Sequence, residues 1–208
     1  MTEIIRDFND QALTRIVKAI NDGGIISFPT ETVYALAADA SNYEAVKKIY
    51  DIKQRSNNKP LPVLVGDIQQ AKRICEFDDR ARKLALLLFP GSITLVLKKK
   101  PRCNLASNLN HSDDNIGVRM PNNLIALKIL QAVGRPLVGT SANISNGENS
   151  VNADQVFDEF DKKIDFLVDQ GAAETGVPST IVDLTTDEVK ILREGLISRK
   201  RIEEILCI

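Results

Sequence analysis

The chain has 208 residues, of which 43% are apolar and 26% charged, proportions ordinary for a folded globular protein. They argue against a disordered, collagen-like or membrane chain, and the length favours one domain able to bury a core without disulfides or a structural metal. Lys+Arg 27 against Asp+Glu 28 leaves a net charge of −1, which excludes a global basic field for holding nucleic acid, and a single histidine rules out a two-His zinc site within the chain.

Leu13, Ile16, Val17 and Ile20 recur at helical spacing, and Gly23-Gly24 stops the pattern. Ile25, Ile26 and Phe28 predict a buried strand running into Pro29, with a second strand over Val33 to Ala37. Ser41-x-x-Glu44 has the form of a capping box opening a helix with Val46, Ile49 and Tyr50 on its apolar face, ending near Lys53. Leu61 to Val65 predicts a strand, 67–76 and 78–88 two helices, and Ile93 to Leu97 and Ile116 to Met120 two more strands. A helix over 123–133 ends at Gly134, and Leu137 to Gly139 is a short strand. Ser145 to Asp154 is a polar loop rather than a domain boundary, and 153–160 is helical. Strands over Ile164 to Val168, Thr180 to Leu184 and Val189 to Leu192 precede a last helix at about 199–206. Interleaved strands and helices with unequal connections predict an α/β single domain: a twisted, mixed parallel and antiparallel sheet flanked by helices. The N-terminus has no cationic segment followed by an apolar one, and no apolar run approaches the roughly 20 residues of a membrane span. With Cys75, Cys103 and Cys207 far apart in sequence and no CxxC, an intracellular, cytoplasmic protein with reduced thiols and no membrane contact is expected.

Neither GxxxxGK[ST] nor GxGxxG occurs, so a bound nucleotide would be held by scattered cations, hydroxyls and backbone groups. FPTETVYALAADA (28–40) sets hydroxyls just past a buried strand, where α/β sheets bind ligands, although a capped turn accounts for the same pattern. Lys53, Arg55 and Lys59 cluster where a helix ends, suited to a triphosphate or an RNA backbone, and equally to a solvated helix C-terminus. Arg119 stands in the apolar strand IGVRMP, so its guanidinium should meet a carboxylate or phosphate, either a ligand's or a structural partner's. Ser141 and Asn143 follow a strand end, Ser179 sits at the mouth of another, and Arg193 precedes Gly195. His111, in a polar loop, is read as a surface residue.

Taken in order, these segments resemble the YrdC-like family, the threonylcarbamoyl-AMP synthases. FPTETVYALAADA is similar to that family's PTETVYGLG motif, IKQR-SNNKPL to its KxR element, FPGSIT to PGPLT and IGVRMP to VAVRxP. GTSANIS carries the SxN element, GVPSTIVD is similar to GVESTVVD and ILREG to LRxG. The chain departs from the pattern at Ala37 (Gly), Ser56 (Pro), Ser92 (the second Pro of PGP) and Pro178 (the Glu of GVEST), and Asn146 is an insertion. The resemblance implies a YrdC-like domain over residues 1–208 around a deep cationic cavity, in the short form without an appended C-terminal domain. It implies formation of L-threonylcarbamoyl-adenylate and pyrophosphate from L-threonine, bicarbonate or CO₂ and ATP, for N6-threonylcarbamoyladenosine at tRNA position 37.

By position in the motifs, Lys53, Arg55, Asn115, Ser141, Asn143, Ser150 and Arg193 should contact ATP. Thr30, Lys59, Arg119, Gly139 and Ser179 should hold threonine. Arg119 should grip the threonine carboxylate with a two-pronged hydrogen bond, and Thr30 or Ser179 should meet the threonine hydroxyl. Mg²⁺ should accompany ATP; the family pattern assigns no side chain here as a general acid or base, and none as a metal ligand. A downstream threonylcarbamoyl-transferase is the expected partner, with weak direct tRNA binding. The alternative reading is a non-catalytic RNA-binding module using the same cations.

Overall fold

The computed structural model describes residues 1–110 and 114–208, so His111 and the expectation for it lie outside the described residues. In chain order the elements are β1 (Glu3–Ile5), α1 (Asp10–Asn21), β2 (Ile26–Pro29), β3 (Tyr34–Asp39), α2 (Tyr43–Ile52), β4 (Val63–Leu64), α3 (Ile68–Ile74), α4 (Asp79–Leu88), β5 (Ile93–Lys98), β6 (Asn115–Arg119), α5 (Leu124–Val133), β7 (Leu137–Ser141), α6 (Ala153–Phe160), β8 (Phe166–Val168), β9 (Thr180–Asp183), β10 (Lys190–Arg193) and α7 (Arg199–Leu206). β1 has no counterpart among the predicted elements. It is a three-residue edge strand paired with β8 near the other end of the chain, so no local pattern announces it. The capping box predicted at Ser41 is also displaced. Asn42 caps α2 by accepting from Ala45 N, while Ser41 donates its hydroxyl and its N–H to Asp39. Each of the seven described helices starts on an Asn, Asp or Ser whose side chain accepts from the first turn. No helix among the described residues is long and apolar enough to cross a membrane.

Among the described residues the strands form one mixed sheet in the order β1-β8-β2-β3-β7-β4-β6-β5-β9-β10. The pairs β1/β8, β2/β8, β4/β6 and β5/β9 are parallel, and the other neighbours are antiparallel. The mixture follows from the connections. The short turn after Pro29 returns the chain beside itself and permits only antiparallel pairing of β2 with β3. β8 reaches β2 through a long crossover and lies parallel to it.

Strand parity positions the chemistry. Successive side chains of a strand point to opposite faces. Tyr34, Leu36 and Ala38 of β3 join a core beneath α2, α4, α6 and α7, while Ala35 and Ala37 join a second core beneath α1 and α5. Burying side chains of this kind contributes about 1.5–3 kcal/mol each, which fixes both layers to the sheet. On β5, β6 and β9 the apolar residues Ile93, Leu95, Ile116, Val118 and Val182 all enter the first core. Thr94, Arg119 and Ile181 therefore face the other way. No residue of β5, β6 or β9 belongs to the second core, so α1 and α5 leave that part of the face open.

Candidate active site

A cavity of about 320 Å³ fills the uncovered face. That lies within the usual range for small-molecule sites, roughly 300–1,000 Å³. Arg55, Lys59, Arg119 and Arg193 line it, and among the described residues no Asp or Glu does. Of the twelve sequence-predicted site residues it also takes in Thr30, Gly139, Ser141 and Ser179; Lys53, Asn115, Asn143 and Ser150 are not in its lining. A larger open groove of about 710 Å³ lies elsewhere, at Arg15, Lys18, Lys48, Lys162 and Lys163. Two of these cations are paired with acids, Arg15 with Glu3 and Lys18 with Asp22, and the groove contains none of the motif segments.

The turn after β2 is tied by Thr30. Its hydroxyl donates to Val33 O (2.7 Å) and accepts from the N–H groups of Thr32 and Val33. The Thr30 hydroxyl is thus engaged in shaping the turn, which leaves Ser179 as the better placed of the two hydroxyls expected to meet a substrate hydroxyl.

Arg119, at the end of β6, meets the protein's own carboxylate. Its Nη2 donates to Glu31 Oε1 (2.8 Å) and to Thr32 Oγ1 (2.8 Å), and its Nε donates to Gly91 O (3.3 Å). Glu31 also accepts from the Ser92 hydroxyl and from the Asn122 N–H. The structural ion pair and the ligand-facing role are therefore not exclusive, because Arg119 also lines the cavity. Among the described residues, Nη1 is the guanidinium nitrogen of Arg119 without a hydrogen-bond partner, so its two donors are the ones not already committed.

Arg193 donates from Nε and Nη2 to Ser179 O (3.0 and 2.8 Å), and the Ser179 hydroxyl lies 2.9 Å from that of Thr94. Burial, and after it the nearby Arg119 guanidinium, pull Arg193 below the usual arginine range. Two cations held close together, with no lining acid among the described residues, favour an anionic ligand. The Gly of ILREG has a steric reason. A Cβ on Gly195 would come within 2.1 Å of Pro178 O, so only glycine lets this strand end close on the 178–180 segment. Gly139 is equally constrained, since a Cβ there would meet Leu64 Cγ at 2.1 Å.

The opposite wall is a loop. Lys53 caps α2 and is 1% exposed, and its ammonium donates to Ser141 O (2.6 Å) and to Asn143 O. Burial first, and then Arg55, lower it to about 8. Lys53 therefore stands behind the wall, bonded to the loop carbonyls like a strut. Ser145 N donates to Lys53 O (2.8 Å), and Glu159 on α6 accepts from Ile144 N (2.6 Å). Asn143 folds inward, donating to Ile144 O and Gly147 O, and Ser150 donates to Ala142 O. Both shape the loop rather than face the cavity. Arg55 donates to Lys59 O and Pro60 O, and Lys59 Nζ reaches Asn146 Oδ1 (2.8 Å), so the inserted residue links the two loops. Asn115 begins β6, four residues from Arg119 and opposite Lys98, outside the cavity lining.

Sequence reasoning missed Glu31, Thr32, Thr94 and Asn149. Thr94 was detectable, because it alternates with Ile93 and Leu95 in a strand and so faces away from them. Glu31 stands in the PTET segment, but nothing local tells that its partner lies 88 residues away. Among the described residues no group of three or more His, Cys, Asp or Glu is placed to hold a metal ion.

Comparison with known proteins follows this geometry. A family model for Sua5/YciO/YrdC, described as "Telomere recombination", matches residues 18–195. The threonylcarbamoyl-AMP synthase of Bacillus subtilis is 33% identical over 95% of this chain and 57% of its own length. A Methanocaldococcus jannaschii relative is 35% identical over 94% of this chain and 91% of its own. The crystal structure of Pyrococcus abyssi Sua5 complexed with L-threonine superposes with a TM-score of 0.93 at 33% identity, covering 99% of this chain and 61% of that one. The chain thus spans little more than half of some relatives and nearly all of another. With the matched segment containing every strand from β2 to β10, the chain belongs to the Sua5/YciO/YrdC family.

Proposed function

We propose that the protein is an L-threonylcarbamoyladenylate synthase, a nucleotidyltransferase that uses L-threonine, bicarbonate or CO₂, and ATP and releases pyrophosphate, within a catalytic unit formed by residues 1–208. The observation that carries this reading is the cavity lined by four cations and, among the described residues, no carboxylate. The relatives' names and the threonine complex of the Pyrococcus abyssi protein support it.

The threonine amine adds to CO₂ and loses a proton, giving a carbamate. A carbamate oxygen attacks the α-phosphorus of ATP, and pyrophosphate leaves. Such a reaction depends on alignment and on charge stabilisation, without a covalent enzyme intermediate. Arg119 Nη1 takes the threonine carboxylate, and Ser179 meets its hydroxyl. Arg55, Lys59, Arg193 and the Ser141 end of the loop take the phosphates, with Lys53 holding that loop from behind. Mg²⁺ enters as part of the nucleotide substrate. The product then passes to a threonylcarbamoyl-transferase that modifies tRNA. The non-catalytic RNA-binding reading is not favoured, because four cations converge on one cavity of small-molecule size instead of spreading over a broad face.

Incubation with ATP, Mg²⁺, bicarbonate and L-threonine tests the proposal. Pyrophosphate release that depends on threonine, with the adenylate detected by mass spectrometry, is expected. Equal release without threonine, or none with it, overturns the proposal.

A further inference from the structure

We infer that Glu31 and Ser92 form a positioning relay that fixes Arg119 with its Nη1 edge toward the cavity, and that this relay sets the affinity for threonine. The inference rests on the reading of the cavity as a threonine site.

An arginine carries five N–H donors, one on Nε and two on each terminal nitrogen. In Arg119 both Nη2 donors and the Nε donor are taken, by Glu31, Thr32 and Gly91. Only the Nη1 pair remains for a ligand. What holds the guanidinium in that rotation is Glu31, itself 4% exposed and tied at both oxygens. Oε1 accepts from Arg119 and from the Ser92 hydroxyl (3.0 Å), and Oε2 accepts from Asn122 N (3.1 Å). The main-chain carbonyl of Glu31 is fixed as well, by Thr175 N and Oγ1. Two segments, Ser92 and the Arg119–Asn122 stretch, thus converge on one carboxylate behind the cavity wall, and a third, at Thr175, holds its main chain. A carboxylate so placed orients Arg119 and cannot itself touch substrate.

Ser92 closes the relay. It stands where the family pattern carries a proline, which has no hydroxyl to donate. Here the side chain is 5% exposed, and its hydroxyl goes to Glu31.

The experiment compares wild type, Glu31→Gln and Ser92→Ala, measuring the threonine Kd by calorimetry, KM for threonine and for ATP, and melting temperature. Glu31→Gln sets an amide N–H against the Asn122 N–H or against its other donors, so Arg119 loses its register. The expected result is a threonine Kd and KM raised about tenfold or more, with the ATP KM within about twofold. Ser92→Ala shifts threonine the same way by about threefold. Unchanged threonine constants in both variants overturn the relay, as does an equal rise for threonine and ATP, the mark of a merely structural role. Tighter threonine binding in Glu31→Gln overturns it too, showing that Glu31 acts only as an opposing charge. If Glu31→Gln fails to fold, Ser92→Ala decides alone. Wild type that fails to bind threonine overturns the reading of the site instead.

Discussion

At the strand end of the cavity Arg119 is held by a buried carboxylate and Arg193 by a strand-end carbonyl, whereas at the loop end Lys53 is held by carbonyls of the very loop it supports. The strand end inherits its geometry from β5, β6 and β9, elements locked by pairing and by the first core. The loop end has no strand beneath residues 142–150, and its shape comes from a desolvated ammonium, Glu159 and side chains folded inward. The contrast teaches that two groups of cations, alike in composition, need not behave alike. One end rests on guanidiniums carried by strands, and the other on a buried lysine pushed down to about 8.

The largest effect that breaks the comparison is expected from Arg119→Ala. Threonine-dependent kcat/KM falls about a hundredfold or more, while ATP titrated by calorimetry binds within about threefold of wild type. The same change leaves Glu31 buried without its counter-ion, at a cost of about 3–5 kcal/mol, visible as a lower melting temperature. A normal threonine KM in this variant removes Arg119 from the site.

Lys53→Met should act at the other end. With two loop carbonyls stripped of their donor, the ATP KM rises about tenfold, and the threonine Kd stays within about threefold. The pH dependence sharpens this. Lys53 titrates near 8, against 10.5 when unperturbed. Below about 8 its ammonium donates to the loop; above that the donor is weakened, so ATP affinity should fall from pH 7 to pH 9, and Lys53→Met should flatten the profile. Stability carries the opposite sign. The unfolded chain keeps this proton up to 10.5 and the folded one only to about 8, so the group's contribution to stability rises with pH between those values. A wild-type ATP affinity flat across pH 7–9 contradicts the strut.

Smaller effects follow. Ser179→Ala removes the hydroxyl proposed to meet that of threonine, so discrimination of threonine over its deoxy analogue, measured as a ratio of kcat/KM values, should fall about tenfold. Asn146→Ala breaks an exposed link to Lys59, and every kinetic constant should stay within about threefold. A larger change would mean that the two loops act as one unit.

The strand end was the more legible of the two in the sequence. Arg119 announced itself as a charge in an apolar run, and Ser179 as a hydroxyl at a strand mouth. Thr94 shared that signal and was passed over, because only the parity of Ile93 and Leu95 reveals its face. At the loop end residue types were visible but directions were not. Lys53 falls in a cationic cluster, and nothing in the spacing says that its side chain turns back into the protein. Asn143 and Ser150 likewise have the right chemistry for a phosphate, yet their hydrogen-bonding capacity is spent inside the loop. Asn115 lies outside the cavity lining because it stands at the opposite end of the strand that carries Arg119. β1 and the Glu31–Arg119 pair join residues distant in sequence, where local patterns carry no information.

The measurement that most directly tests one cavity shared by threonine and ATP is mass spectrometry of the adenylate made with heavy-carbon bicarbonate. The expected product forms only when threonine is present, carries the heavy carbon, and is lost in both Arg119→Ala and Arg193→Ala. Unlabelled product, or adenylate that forms at the wild-type rate in Arg119→Ala, contradicts a joint site.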